Sequence, residues 1–221
     1  MQYCALMTPR LSTTGYAVLG MLALRPATPY ELTQQMQRSL DYCWPTSERS
    51  LYDQPERLVA AGLATVEGDD EGRRRYAVTE EGRAALSAWL AAGSAMPRLA
   101  NEPLLRTLFA DQSEVEDLHR VLADLREHVD ARRRLGLTQM APYLDGEGLF
   151  QERAHVVVIV ADLVARLLDT LDDWAAEVQD VTADWHTTRE RGLEPAVRAM
   201  LERMVDDARR RVGETEGSRR R

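Results

Sequence analysis

Thr46-Ser47-Glu48-Arg49-Ser50-Leu51-Tyr52-Asp53-Gln54-Pro55-Glu56-Arg57-Leu58-Val59-Ala60-Ala61-Gly62-Leu63 decides the fold, together with the arginine-loaded return Arg73-Arg74-Arg75-Tyr76-Ala77-Val78-Thr79. Thr46 or Ser47 can cap a helix running toward Ala61, and Gly62 is placed to end it in a left-handed conformation. Leu51 and Leu58 lie one heptad apart and face a core, which leaves Arg49, Ser50, Tyr52, Asp53, Glu56 and Arg57 on the open side. Pro55 deletes a hydrogen bond and crowds the carbonyl of Leu51. Either the helix kinks there, or regular helix begins only around Asp53.

Working outward, Leu63–Glu67 and Tyr76–Val78 have the β-branched content of two hairpin strands joined by a turn-rich loop. Thr79-Glu80-Glu81 then caps a further helix, with two acids at its positive end. Upstream, Leu11, Ala17, Val18, Met21, Leu22 and Leu24 follow helical spacing until Arg25-Pro26-Ala27 interrupts them. Thr28-Pro29-Tyr30-Glu31 supplies a cap, a first-position Pro and the Glu of a capping box for a helix that turns Leu32 and Met36 inward. Three short helices, a hairpin and a fourth helix make a winged helix-turn-helix. In that architecture one helix enters the major groove and the hairpin lies along phosphates. The expected DNA contacts are Tyr30, Arg49, Ser50, Tyr52, Arg57, Arg73, Arg74 and Arg75.

Ser50-Leu51-Tyr52, Leu58-x-x-x-Gly62-Leu63, the wing ending in Tyr76-x-Val78-Thr79-x-x-Gly82, and Tyr30-Glu31-Leu32 together resemble the PadR family of bacterial transcriptional regulators over residues 12–92. Leu105-x-x-x-Phe109-Ala110-Asp111 is similar to the opening of the α-helical C-terminal domain in the longer members. The resemblance implies a homodimer that represses promoters through palindromic operators and is released by a small molecule. Pro29 departs from it, standing where the family commonly carries Gly, and so does Pro55.

All 28 basic residues are Arg, and the chain carries a net charge of −8. Residues 1–92 hold nine arginines against eleven acids, so affinity for DNA must come from local clustering rather than from the overall field. Arginine suits this, because its fork pairs bidentately with phosphate or a guanine edge.

In the second half, Val115, Leu118, Leu122, Leu125 and Val129 are spaced 3, 4, 3, 4, and breaks are expected at Gly136 and at Pro142–Gly148. A longer stripe follows through Val160, Val164, Leu167, Leu171, Trp174, Val178, Val181 and Trp185. Both read as coiled-coil-like dimerisation seams. Val156, Val157, Ile159, Leu163 and Leu168 are apolar as well, so the long helix needs both a same-chain partner and a second subunit. Leu193, Val197, Leu201 and Met204 mark a last helix.

The fold expected is therefore mainly α. A short extension (1–11) precedes the winged helix-turn-helix domain (12–92), an α-helical dimerisation and effector domain (93–212) and a disordered basic tail (213–221). A two-fold dimer implies an inverted-repeat site with half-sites about 34 Å apart or a multiple of it. The 129 residues after position 92 exceed what dimerisation needs. A pocket for a small aromatic or phenolic effector is accordingly placed near Trp89, Met96, Phe109 and Tyr143, with Met140 and Phe150 close by in sequence.

Cys4 and Cys43 lack zinc-site spacing, and His119, His128, His155 and His186 form no ligand pattern. With no phosphate loop and no nucleophile elbow, no catalytic residue, metal or cofactor is assigned. Met1–Pro9 lacks the features of a signal peptide and no apolar run reaches membrane-spanning length, which places the protein in the cytoplasm. The competing function is a winged-helix protein-interaction adaptor that does not bind DNA.

Overall fold

A computed structural model describes residues 11–40, 42–68, 74–97, 99–189 and 191–219. The chain divides into two compact units, Met1–Pro97 and Arg98–Arg221.

The first unit orders α1 (Thr13–Leu24), α2 (Pro29–Ser39), α3 (Glu48–Ala60), β1 (Ala64–Gly68), β2 (Arg74–Val78) and α4 (Glu80–Ala91). Side chains fix the helix starts, since each otherwise leaves unpaired N–H groups. Ser12 caps α1, Ser47 caps α3 and Thr79 caps α4. The Thr28/Glu31 capping box closes α2, with Pro29 in its first turn. α3 ends as the sequence predicts. Gly62 has φ +75°, its N–H donates to Val59 O at 2.9 Å, and the Leu63 N–H donates to Leu58 O at 2.9 Å. That pair of bonds is a Schellman motif.

Of the two alternatives for Pro55, the late start is the one that fails. α3 is helical from Glu48, and Pro55 lies fully buried in its interior. Burial of the ring against the core offsets the missing hydrogen bond. The core collects Val18, Leu19 and Leu22 from α1, Leu32 and Met36 from α2, Leu51 and Leu58 from α3, and Leu63, Ala64 and Tyr76 from the hairpin. β1 and β2 are antiparallel, with Ala64 opposite Val78 and Gly68 opposite Arg74. Ala27 adds a bridge on the outer side of β2, exchanging backbone bonds of 3.0 and 2.9 Å with Tyr76. The wing is thereby stitched to the turn between α1 and α2.

The second unit contains α5 (Glu102–Leu108), α6 (Val115–Met140), α7 (Ala154–Val181) and α8 (Pro195–Arg219). α6 runs through Gly136, where a break is expected. It packs chiefly on α7. Val115, Leu118, Leu122, Leu125 and Val129 are all buried within the single chain. The α6 heptad is therefore an internal seam, which corrects its assignment to dimerisation: a 3,4 repeat reports a helix partner, not whose chain supplies it.

On α7 the inward face is Leu168, Asp172, Ala175, Gln179 and Thr182, spaced 4, 3, 4, 3. Leu168, Ala175 and Thr182 are buried. Asp172 takes bonds of 2.8 Å from both Arg126 and Arg133, Gln179 takes one from Arg126, and Thr182 meets His119 at 2.9 Å. At 3.6 residues per turn the Val160–Val178 stripe lies about a quarter turn round the helix from that face. Val160 and Leu167 are exposed there, with Val156, Ile159 and Leu163 beside them, while Val164, Leu171, Trp174 and Val178 are half-buried.

α8 continues to Arg219, so residues 213–219 are helical where a disordered tail is expected; residues 220–221 lie outside the described residues. Asp206–Arg209 and Asp207–Arg210 pairs, three residues apart, support that helix from its own surface.

Asp172 yields a pH prediction. Hydrogen bonds from Arg133, then from Arg126, hold its carboxyl below the usual carboxylate range. A folded value lower than the unfolded one gives stability that is present above the unfolded value and lost as pH falls through the folded one. Asp172→Asn should lower the stability of this unit by about 1 kcal/mol at neutral pH. In urea melts recorded down the acid limb, the gap between variant and wild type should close; a gap that stays constant with pH would count against the ion pair.

Candidate nucleic-acid interface

The outward face of α3 is built by its cap and its two core leucines. With Leu51 and Leu58 turned in, Arg49, Tyr52, Asp53, Glu56 and Arg57 are exposed and Ser50 is half-buried. Gln37 of α2 donates to Glu48 at 3.0 Å, fixing the N-terminal turn of α3 against its neighbour. Tyr30 projects from the first turn of α2, 61% exposed, and accepts a hydrogen bond from Gln34. Tyr52 is 44% exposed. Among the described residues neither Arg49 nor Arg57 has an acidic partner.

The wing arginines differ. Arg73 lies outside the described residues. Arg74 pairs with Glu56 of α3 at 2.6 Å, and its guanidinium sits 5.7 Å from the centre of the Tyr76 ring. Arg75 pairs with Glu31 of α2 at 3.2 Å and donates to the Pro26 carbonyl at 2.7 Å. Tyr76 donates from its hydroxyl to Glu56 at 2.8 Å; burial, and then that carboxylate, push the phenol up from its ordinary value. Glu31 is pulled the other way: the Thr28 N–H, aided by the charge of Arg75, holds its carboxyl down. Sequence reasoning finds Glu31 as a capping residue but not as the anchor of the wing. It places Glu56 on the open side of α3 but does not pair it with the wing, because partners 18 and 44 residues apart have no local signal.

The residues expected to line an effector pocket fall in both units. Trp89 stacks on Tyr16 of α1 with ring centres 4.9 Å apart, and Met96 is exposed. In the second unit Phe109 is exposed at the end of α5. Tyr143 donates to the Leu149 carbonyl, its ring lying against Gly148.

Residues 18–88 match the sequence model of the "Transcriptional regulator PadR-like family". The winged unit thus carries a PadR-like domain. The Bacillus subtilis (strain 168) protein named "Negative transcriptional regulator PadR" is 24% identical over 111 residues, which are 47% of this chain and 61% of that protein. The chain thus matches about three-fifths of that relative's length. Two solved structures resemble the fold. B. subtilis PadR in complex with operator DNA has a TM-score of 0.68 at 17% identity, covering 77% of this chain and 98% of that one. The same protein in complex with p-coumaric acid gives 0.63 at 17% identity, covering 78% and 100%. The PadR-like fold accounts for the helix order, the wing and the helical C-terminal extension. Among the described residues, no helix is long and apolar enough to cross a membrane and no cluster suits a metal ion.

Proposed function

We propose that this PadR-like protein is a sequence-specific DNA-binding transcriptional regulator of the cytoplasm. It acts as a homodimer on an inverted repeat, as a repressor released by a small aromatic or phenolic effector. The observation that carries the reading is the α3 face, where Arg49, Tyr52 and Arg57 are exposed beside a wing whose Arg74 meets Glu56 of the same helix. N-terminal residues of a recognition helix reach base edges. Arg49, in the first turn, would read a guanine edge, while Arg57 and Tyr30 would hold phosphates. Domain 12–92 then contacts DNA, and residues 93–212 carry dimerisation, through Val160, Leu167 and their neighbours on α7, together with effector sensing. Repression and a phenolic effector are supported by the relative's name and by its p-coumaric acid complex.

The test is selection of sheared genomic DNA on the purified protein at near-physiological salt, followed by binding of the enriched repeat to variants. Arg49→Ala should weaken that repeat by about 1–3 kcal/mol and relax preference at one base pair per half-site. Arg57→Ala should weaken all sequences alike and flatten the dependence of log K on log salt by about 0.9 for each recognition helix. If no repeat is enriched and reversing Arg49 to Glu leaves retention on DNA unchanged, the adaptor function takes its place.

A further inference from the structure

Glu56 is an exposed carboxylate on the face of α3 that we assign to DNA, one residue before Arg57, which has no acidic partner among the described residues. Its position next to phosphates is electrostatically adverse. Its partner Arg74 is the first residue of β2, and both side chains are open to solvent, 53% and 59% exposed. Exposed ion pairs add little to stability, so folding alone gives weak reason for an acid here. Arg75 differs, being only 30% exposed and tied to Glu31 and to the Pro26 carbonyl. The wing is therefore anchored by Arg75 and the Ala27–Tyr76 bridge, and the Glu56–Arg74 pair is not needed to hold it.

We propose that Glu56 is a specificity-determining residue that acts by restraint: it occupies Arg74 and so keeps that cation from engaging the phosphate backbone. Phosphate contacts are sequence-independent, and each one raises affinity for every competing site. An arginine already neutralised by a carboxylate releases no counterion from DNA. Holding Arg74 in an internal pair lowers non-specific binding and leaves base reading to the first turn of α3, which widens the ratio between operator and bulk DNA. The Tyr76 hydroxyl, bonded to the same carboxylate, holds Glu56 in the orientation that meets Arg74. The inference rests on the DNA-binding reading above.

The experiment uses the full chain and fluorescence anisotropy on a duplex of random sequence between 50 and 200 mM KCl. E56Q keeps an acceptor for Tyr76 but removes the charge. It should bind about fivefold more tightly at the lowest salt, with a log–log salt slope steeper by about 0.9 and a gain that shrinks roughly 3.5-fold across the range. The double variant E56Q/R74A should lose the gain, and melting curves should show both variants folded. Unchanged or weaker binding by E56Q, or a gain that survives in E56Q/R74A, overturns the restraint. R57A, which removes a phosphate contact, separates the levels. If wild type binds, R57A binds more weakly and E56Q matches wild type, the restraint alone fails. If wild type holds no duplex even at 50 mM, the DNA-binding reading fails and the restraint with it.

Discussion

Gly82→Ala should unfold the winged unit far more readily than any surface change. The expected loss is about 3 kcal/mol, enough to lower the melting temperature of a unit this size by more than about 10 °C. In an ordinary helix the same substitution stabilises by roughly 0.5–1 kcal/mol, because Gly is the more flexible residue in the unfolded chain. Here the sign reverses for a local reason. The first turn of α4 is set down on the corner between α3 and β1. Thr79 donates from its N–H to Leu63 O at 3.1 Å and from its hydroxyl to Gly62 O at 2.8 Å, and the Gly82 N–H donates to the Thr79 hydroxyl at 3.0 Å. A Cβ on Gly82 would overlap the Leu63 carbonyl and come within 2.8 Å of Val78 Cγ2. A backbone carbonyl cannot swing aside as a side chain can, so α4 must lift and surrender the Thr79 bonds. β2 leads directly into Thr79, and the wing would move with it. Gly20, inside α1 with nothing near its Cβ position, is the control. Gly20→Ala should leave stability unchanged or raise it, by differential scanning calorimetry. Equal melting of the two variants would show that the corner yields.

Much of that corner can be read from the chain. Thr79 before two acids, Gly62 after an apolar run and Thr28 three residues before Glu31 are boundary signals of short range, and each has a residue type with one dominant physical role. Leu51 and Leu58 likewise settle the outward face of α3 by period alone. Legibility stops where an interaction joins distant positions. Nothing near Glu56 announces Arg74, and nothing near Arg75 announces the Pro26 carbonyl, so three consecutive arginines read as one basic cluster although the structure gives Arg74 and Arg75 separate acidic partners. The α6 heptad shows a second limit. Its period establishes a helix-packing seam, yet the period does not say whose helix fills it; within the chain α7 does, with Arg126 and Arg133 of α6 bonded to its Asp172. Pro55 shows a third, in that helix propensity is overruled once the ring is fully buried among core side chains.

Placing charge on the outward stripe of α7, as Val160→Glu with Leu167→Glu, should convert the proposed homodimer to a monomer of 25.0 kDa by sedimentation equilibrium. The monomer should keep its fold. Both positions are exposed in the single chain, 50% and 43%, whereas the face that holds α6 lies about a quarter turn away and is fastened by its own ion pairs. Exposed apolar side chains repeating along nearly half of a 28-residue helix are a contiguous patch of the kind that marks a protein contact. Burying a carboxylate in such a contact without a partner costs several kcal/mol per site. The larger consequence falls on DNA. In the proposed dimer two recognition helices make the second half-site encounter intramolecular, and losing that link should weaken binding to an inverted repeat by about 10²–10⁴-fold. Binding to an isolated half-site should hardly change, because α3 and the wing are untouched. That asymmetry distinguishes loss of the dimer from damage to the reading head. If the double variant still sediments as a dimer, the interface lies elsewhere in the second unit. The exposed Leu104, Leu105 and Leu108 of α5, or Leu201 and Met204 of α8, then become the surfaces to charge next.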